Sequence, residues 1–141
     1  MTFAQWDFLA DAVNPVLLLI FIACSVGKHS SSRRISAFLA RSGVAILITW
    51  LLAHLDRWVP ALRDQVGFPS GHMAFYLTVA TSFWLLDRRS LRFTLPLGLL
   101  YGWLIVFLDY HSWWDLLTAF LLAVPITLIC HRMARRESSD I

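Results

Sequence analysis

Phe68-Pro69-Ser70-Gly71-His72-Met73-Ala74-Phe75-Tyr76-Leu77 is the stretch on which the fold turns. A stiff polar turn ends at a histidine, and an apolar run without one charged residue then continues to Leu86. Proline fixes the entry, Ser70 is a natural N-cap, and Gly71 lets the backbone come close to a ligand. The N–H groups at such a helix start, backed by the positive end of the helix dipole, form an anion site. The plainer reading of the same turn is an ordinary capped helix start.

Working outward, four further apolar runs join His72–Leu86: Ala12–Val26, Gly43–Val59, Phe93–Leu108 and Trp113–Cys130. The chain has 141 residues, 58% hydrophobic and 15% charged, and a soluble domain would need far more polar surface. The pattern predicts an all-α, polytopic membrane bundle of five spanning helices in one domain, 1–141, without repeats or linkers. Each run falls short of the roughly 20 residues a lone span requires, so flanking turns must extend it. Met1 to Asp11 contains no Lys or Arg, so the first run is read as a helix rather than a cleaved leader.

Five spans place Lys28, Arg33, Arg34, Arg41, Arg88, Arg89, Arg92, Arg132, Arg135 and Arg136 on one side, ten of the twelve basic residues. Basic loops mark the cytoplasmic face, so the N-terminus is expected outside and the C-terminus inside. These clusters are read as topology signals, not as sites for nucleic acid or anionic lipid. Cys24 and Cys130 have no metal-ligand spacing and read as reduced, structural thiols.

The same topology gathers the 54–71 loop, His72 and the 109–115 turn on the outer face, although none of them was used to set it. His111-Ser112-Trp113-Trp114-Asp115 puts a histidine and a carboxylate at i, i+4, on one face at the start of the last helix. A carboxylate on one imidazole nitrogen sets the tautomer and leaves the other nitrogen as base or nucleophile. The plainer alternative is an interfacial His–Asp pair flanked by anchoring tryptophans. A zinc site built from His54, His72 and His111 has no His-x-x-x-His spacing to support it, so no cofactor is expected. Phosphoryl transfer without a metal needs cations around the phosphate. Outward of the spans these are Arg57 and Arg63, with His54 beside them.

Pro69-Ser70-Gly71-His72 and His111-x-x-x-Asp115 together resemble the type-2 phosphatidic acid phosphatase family, the lipid phosphate phosphatases related to vanadium haloperoxidases. The resemblance covers about residues 43–130 and implies a core of six helices, one more than is read here. It implies that His111 is a nucleophile forming a phosphohistidine, that Asp115 orients it, and that His72 protonates the leaving oxygen. Ser70 and Gly71 would hold phosphate oxygens, with Arg57, Arg63 and His54 as substrate contacts.

Two departures stand out. The family's arginine six residues before the motif histidine is Ile105 here, preceded by Leu104, and the Lys…Arg-Pro motif has no match in His54-Leu55-Asp56-Arg57-Trp58-Val59-Pro60. The expectation is an integral plasma-membrane (bacterial inner-membrane) phosphatase, working on lipid phosphates or pyrophosphates at the periplasmic or exterior face. The partners are the membrane and the lipid substrate, with no nucleic acid. The alternatives are a silent member binding anionic headgroups or a partner membrane protein, and a lipid phosphotransferase.

Overall fold

The computed structural model describes residues 2–28, 32–55, 58–59 and 68–137, and every regular element among them is helical. The order is α1 (Phe3–Lys28), α2 (Ser32–Ala53), α3 (Gly71–Leu86), α4 (Leu91–Phe107) and α5 (Trp113–Glu137), with a 3-10 turn at Arg88–Ser90. The starts of α3, α4 and α5 fall within two residues of the hydropathy limits. Helices α1 and α2 begin well before theirs, so Phe3–Asp11 and Arg33–Arg41 are helical rather than loop. An apolar window stops at the first charges, whereas a helix keeps its own hydrogen bonds into the interface while Arg stems lie along apolar surface. Pro15 therefore lies inside α1 instead of near its start, and α2 ends at Ala53, short of Val59.

Among the described residues, four stretches are long and apolar enough to cross a membrane: Ala4–Lys28, Ser32–Ala53, Arg88–Phe107 and Trp113–Arg132. Helix α3, expected as a fifth span, has 16 residues, about 24 Å against a hydrocarbon core of about 30 Å. It is the central element, packed against α1, α2, α4 and α5. Neighbouring protein thus covers its short ends, the condition under which non-helical backbone is tolerated at membrane depth.

Small side chains make that close packing possible. Ala74, Thr78, Val79 and Ser82 of α3 are fully buried, and the Thr78 hydroxyl donates to its own helix at the Ala74 carbonyl, 2.9 Å away. Tyr76 donates to the Thr94 carbonyl at 2.6 Å, fastening α3 to α4. A Cβ at Gly98 would stand 2.8 Å from the Tyr76 ring, so glycine is needed at this crossing. Phe21 of α1 meets Phe38 of α2 and Phe83 of α3, with centroids 6.0 and 5.8 Å apart. Outside this core, Leu19, Leu47, Leu99, Leu100 and Leu121 project from four helices with more than half their surface uncovered. That suits a bilayer, not water.

At the end of the bundle where α3 finishes, Lys28 Nζ lies 2.6 Å from Asp87 Oδ2, and the Arg89 N–H donates to Asp87 Oδ1 at 2.9 Å. The Lys28 hydrogen bond, helped by that backbone N–H, holds the Asp87 carboxyl below the usual carboxylate range. A lowered carboxylate pKa contributes stability present above the unfolded value and lost as pH falls through the folded one. Thermal unfolding scans in detergent should therefore show the melting temperature falling as pH drops below about 4. Asp87→Asn should flatten that part of the profile.

Candidate active site

Ser70 is wholly buried and caps α3, its Oγ accepting the Met73 N–H at 3.3 Å. Its own N–H donates across the bundle to the Asp115 carbonyl at 3.1 Å. That one backbone bond joins the two polar words of the sequence, so the mouth of α3 and the mouth of α5 are a single structure. Both helices point their N-termini, and hence the positive ends of their dipoles, toward the same end of the bundle.

His111 reaches Asp115 by a route other than a shared helix face. Helix α5 starts at Trp113, so His111 precedes it. The Ser112 N–H donates to Asp115 Oδ2 at 2.9 Å while the Asp115 N–H donates to Ser112 Oγ at 3.3 Å. This reciprocal capping pair fixes the carboxylate, and Oδ2 then lies 3.5 Å from His111 Nδ1. Both side chains are largely covered, 29% and 17% exposed.

The turn before them is set by the end of α4. Asp109 has φ 59°, its N–H donates to the Val106 carbonyl at 3.0 Å, and the Tyr110 N–H donates to Ile105 at 3.1 Å. These are the two bonds of a helix end with one left-handed residue, a conformation that Asp tolerates better than most.

Helix α1 supplies partners that the sequence reading passed over. Asp7, Asp11 and Asn14, at i, i+4 and i+7, form a polar stripe on an otherwise apolar helix. The Tyr110 hydroxyl donates to Asp7, and Asp11 Oδ1 lies 3.7 Å from His72 Nε2, both side chains half-exposed or more. Asn14 Nδ2 bonds the His72 carbonyl at 3.0 Å and the Tyr101 hydroxyl at 3.1 Å. The spacing of Asp7, Asp11 and Asn14 was the available signal, hidden because the apolar window begins at Ala12.

His54 sits against the glycine of the turn. Its Nδ1 contacts the Trp50 carbonyl at 2.8 Å; a carbonyl only accepts, so this nitrogen carries the proton and Nε2 becomes a donor on protonation. A Cβ on Gly71 would lie 2.7 Å from His54 Cε1. His54, Gly71 and His72, with Asn14 and Trp50, line a cavity of about 290 Å³ between α1, α2 and α3. His111 and Asp115 are not among its lining residues; they stand on the α5 side of Ser70.

Arg57 and Arg63 lie outside the described residues. Ile105 is 1% exposed in the hydrophobic core of the bundle, so that position offers no charge to a phosphate. Among the described residues, no three His, Cys, Asp or Glu side chains group as metal ligands.

Residues 15–139 match the family model of the PAP2 superfamily. The chain belongs to the PAP2 superfamily. Membership supports a phosphatase-type function in general and agrees with the likeness carried by the two polar words. No curated protein and no solved structure matches the chain.

Gly71→Ala should push the His54 ring aside and cut turnover about tenfold to a hundredfold, the scale on which an ångström of misplacement acts. The helix content by circular dichroism should not change. In Gly71→Ala/His54→Ala the clash is gone, and turnover should stay low if His54 contributes more than packing.

Proposed function

We propose that the chain is a membrane lipid phosphate or pyrophosphate phosphatase that works through a phosphohistidine on His111. The observation that carries the reading is the Ser70–Asp115 backbone bond, which sets a phosphate-sized turn beside a carboxylate-held imidazole. The phosphate would rest on the Ser70–Gly71 turn at the α3 N-terminus, a ready place for an anion. Asp115 takes the Nδ1–H of His111, which puts the nucleophilic lone pair on Nε2. Nε2 attacks phosphorus, a P–N bond forms, and the P–O bond to the lipid breaks with its electrons on the departing oxygen. His72, its ring near Asp11, gives that oxygen a proton. Water then attacks phosphorus, the P–N bond breaks, and His72 takes a proton from the water as inorganic phosphate leaves.

Charge around the phosphate is the demanding part. Arg57 and Arg63, with His54 once protonated, are the proposed clamp. The substrate class is a lipid whose tail stays in the bilayer while its headgroup reaches His111: an undecaprenyl pyrophosphate, a phosphatidylglycerol phosphate or a phosphatidic acid. No metal takes part in these steps. Following the basic-residue bias, the site faces the periplasm or exterior.

One observation favours a second reading, a silent member that binds the headgroup without turnover. It is Ile105, buried where the family motif has its arginine; a missing transition-state contact costs about 10²–10³ in rate.

Purified protein in detergent should release phosphate from at least one of these lipids in the presence of chelator. His111→Ala should lower kcat by about 10³ or more, and His72→Ala by about 10²–10⁴. Asp115→Asn should lower kcat while leaving KM nearly unchanged. An acid-labile phosphoenzyme from phosphate-labelled lipid, absent in His111→Ala, separates the phosphatase from the silent binder. Binding without turnover in folded wild-type protein would sink the first reading.

A further inference from the structure

The bundle is closed on three sides; on the fourth, α4 and α5 meet where Gly102 faces Leu116 and leave a gap beyond it. Helix α4 packs on α1 and α3, and α5 packs on α2 and α3. Between α4 and α5 runs a cavity of about 380 Å³, floored by α3 and walled by residues such as Leu95 and Leu99 of α4 and Phe120 and Val124 of α5. Along α3 it reaches from Met73 to Trp84, about 16 Å at the helical rise. Its chemistry is that of a hydrocarbon chain.

At the end remote from Ser70, this groove borders a second chamber. Trp84 borders both spaces, and the second, about 340 Å³, is lined also by Leu85, Arg88, Leu128, His131 and Arg132. On α5 the residues Phe120, Val124, Leu128 and Arg132 step at i+4, one continuous face leading from the apolar groove to a guanidinium. Leu77, Thr81, Trp84 and Arg88, at steps of four, three and four, lead likewise from α3 into the turn that follows it. The Arg88 guanidinium lies 5.9 Å from the centre of the Trp84 ring, within reach of a cation–π contact. Buried His131 forms the back wall, bonded to Ser42 Oγ at 3.3 Å and tilted on Phe38 at 4.8 Å. Among the described residues no acid lines the chamber, and the neighbouring Asp87 is engaged by Lys28.

We propose that this is a binding site for one anionic phospholipid of the leaflet opposite the candidate active site. The headgroup phosphate sits between Arg88 and Arg132, and an acyl chain fills the α4–α5 groove against α3. The occupant follows from complementarity. A lone chain leaves two guanidinium groups without a counter-charge, a free phosphate leaves the groove empty, and a phospholipid satisfies both. Guanidinium forks match phosphate oxygens geometrically, and such cations near a bilayer surface attract anionic lipid. Two of the arginines read from the sequence as topology signals alone thereby acquire a ligand. The lipid would replace the packing that α4 and α5 do not give each other along this groove, and it is separate from the phosphatase chemistry.

The test uses the full chain reconstituted in phosphatidylcholine with an equal share of phosphatidylglycerol, then released for native mass spectrometry. Wild type should keep one phosphatidylglycerol in preference to phosphatidylcholine. Arg88→Gln/Arg132→Gln should reduce that retention about tenfold, the loss of one or two charge-assisted bonds. Arg88→Lys/Arg132→Lys should retain an intermediate amount, Arg92→Gln should behave as wild type, and Val124→Trp, which fills the groove, should lose the lipid. His111→Ala should keep it, so the outcome does not depend on the phosphatase reading. Helix content by circular dichroism should match wild type in each variant. Equal retention of the two lipids overturns the proposal, as does undiminished retention in Arg88→Gln/Arg132→Gln or Val124→Trp. So does a lipid-free dimer, which would assign the groove to a second copy.

Discussion

The Ser70 N–H donated to the Asp115 carbonyl is the bond on which the candidate site depends. The Ser70 N–H lies at the start of α3, where backbone donors lack intrahelical partners, and the Asp115 carbonyl, in the first turn of α5, accepts it as an added bond. In a bilayer such groups must be satisfied by protein. Here the α5 mouth satisfies the α3 mouth, and the cost of bringing irregular backbone into a membrane protein becomes the device that sets two helix dipoles and two histidines at one end. Asp115 serves three roles at once: its carbonyl receives Ser70, its carboxylate receives the Ser112 N–H, and the same carboxylate holds His111. A change at Asp115 therefore alters more than the charge beside an imidazole.

Helix α1 completes this end from the other side. Asp7, Asp11 and Asn14 touch Tyr110, His72 and Tyr101, three residues of three other segments. Half-buried Asn14 in particular meets both the α3 mouth and α4, although its buried Oδ1 has no partner among the described residues. A superfamily member with Ile105 in place of a motif arginine lacks a cation in its core. What remains at the described mouth is imidazole, backbone N–H groups and helix dipoles.

The two ends of α3 differ in kind. One end is a tight polar turn sealed by backbone bonds; the other borders a basic chamber that shares Trp84 with an apolar groove. Between them α3 contributes small and hydroxyl-bearing side chains, and its length falls short of the membrane. The central helix is thus held by its neighbours more than by lipid, while the outer helices show lipid their leucines.

The helix starts at Gly71 and Trp113 were legible in the sequence because local chemistry marks them: Pro69-Ser70 and Ser112 are turn and cap residues followed at once by apolar runs. The all-helical membrane class followed from composition, and the superfamily from two short motifs. Spacing also put His111 and Asp115 within reach, although the structure pairs them through a helix cap instead of one helical face. The true starts of α1 and α2 were not legible, since hydropathy falls at charges while helical hydrogen bonding does not. Nor were Asp11 beside His72, His54 under Gly71, or the α4–α5 gap opening onto Arg88 and Arg132. Local sequence determines where a helix can begin and which face is apolar, because those depend on residues a turn or two apart. Which helices touch, and which polar groups must then find partners, is decided by packing between segments far apart in the chain.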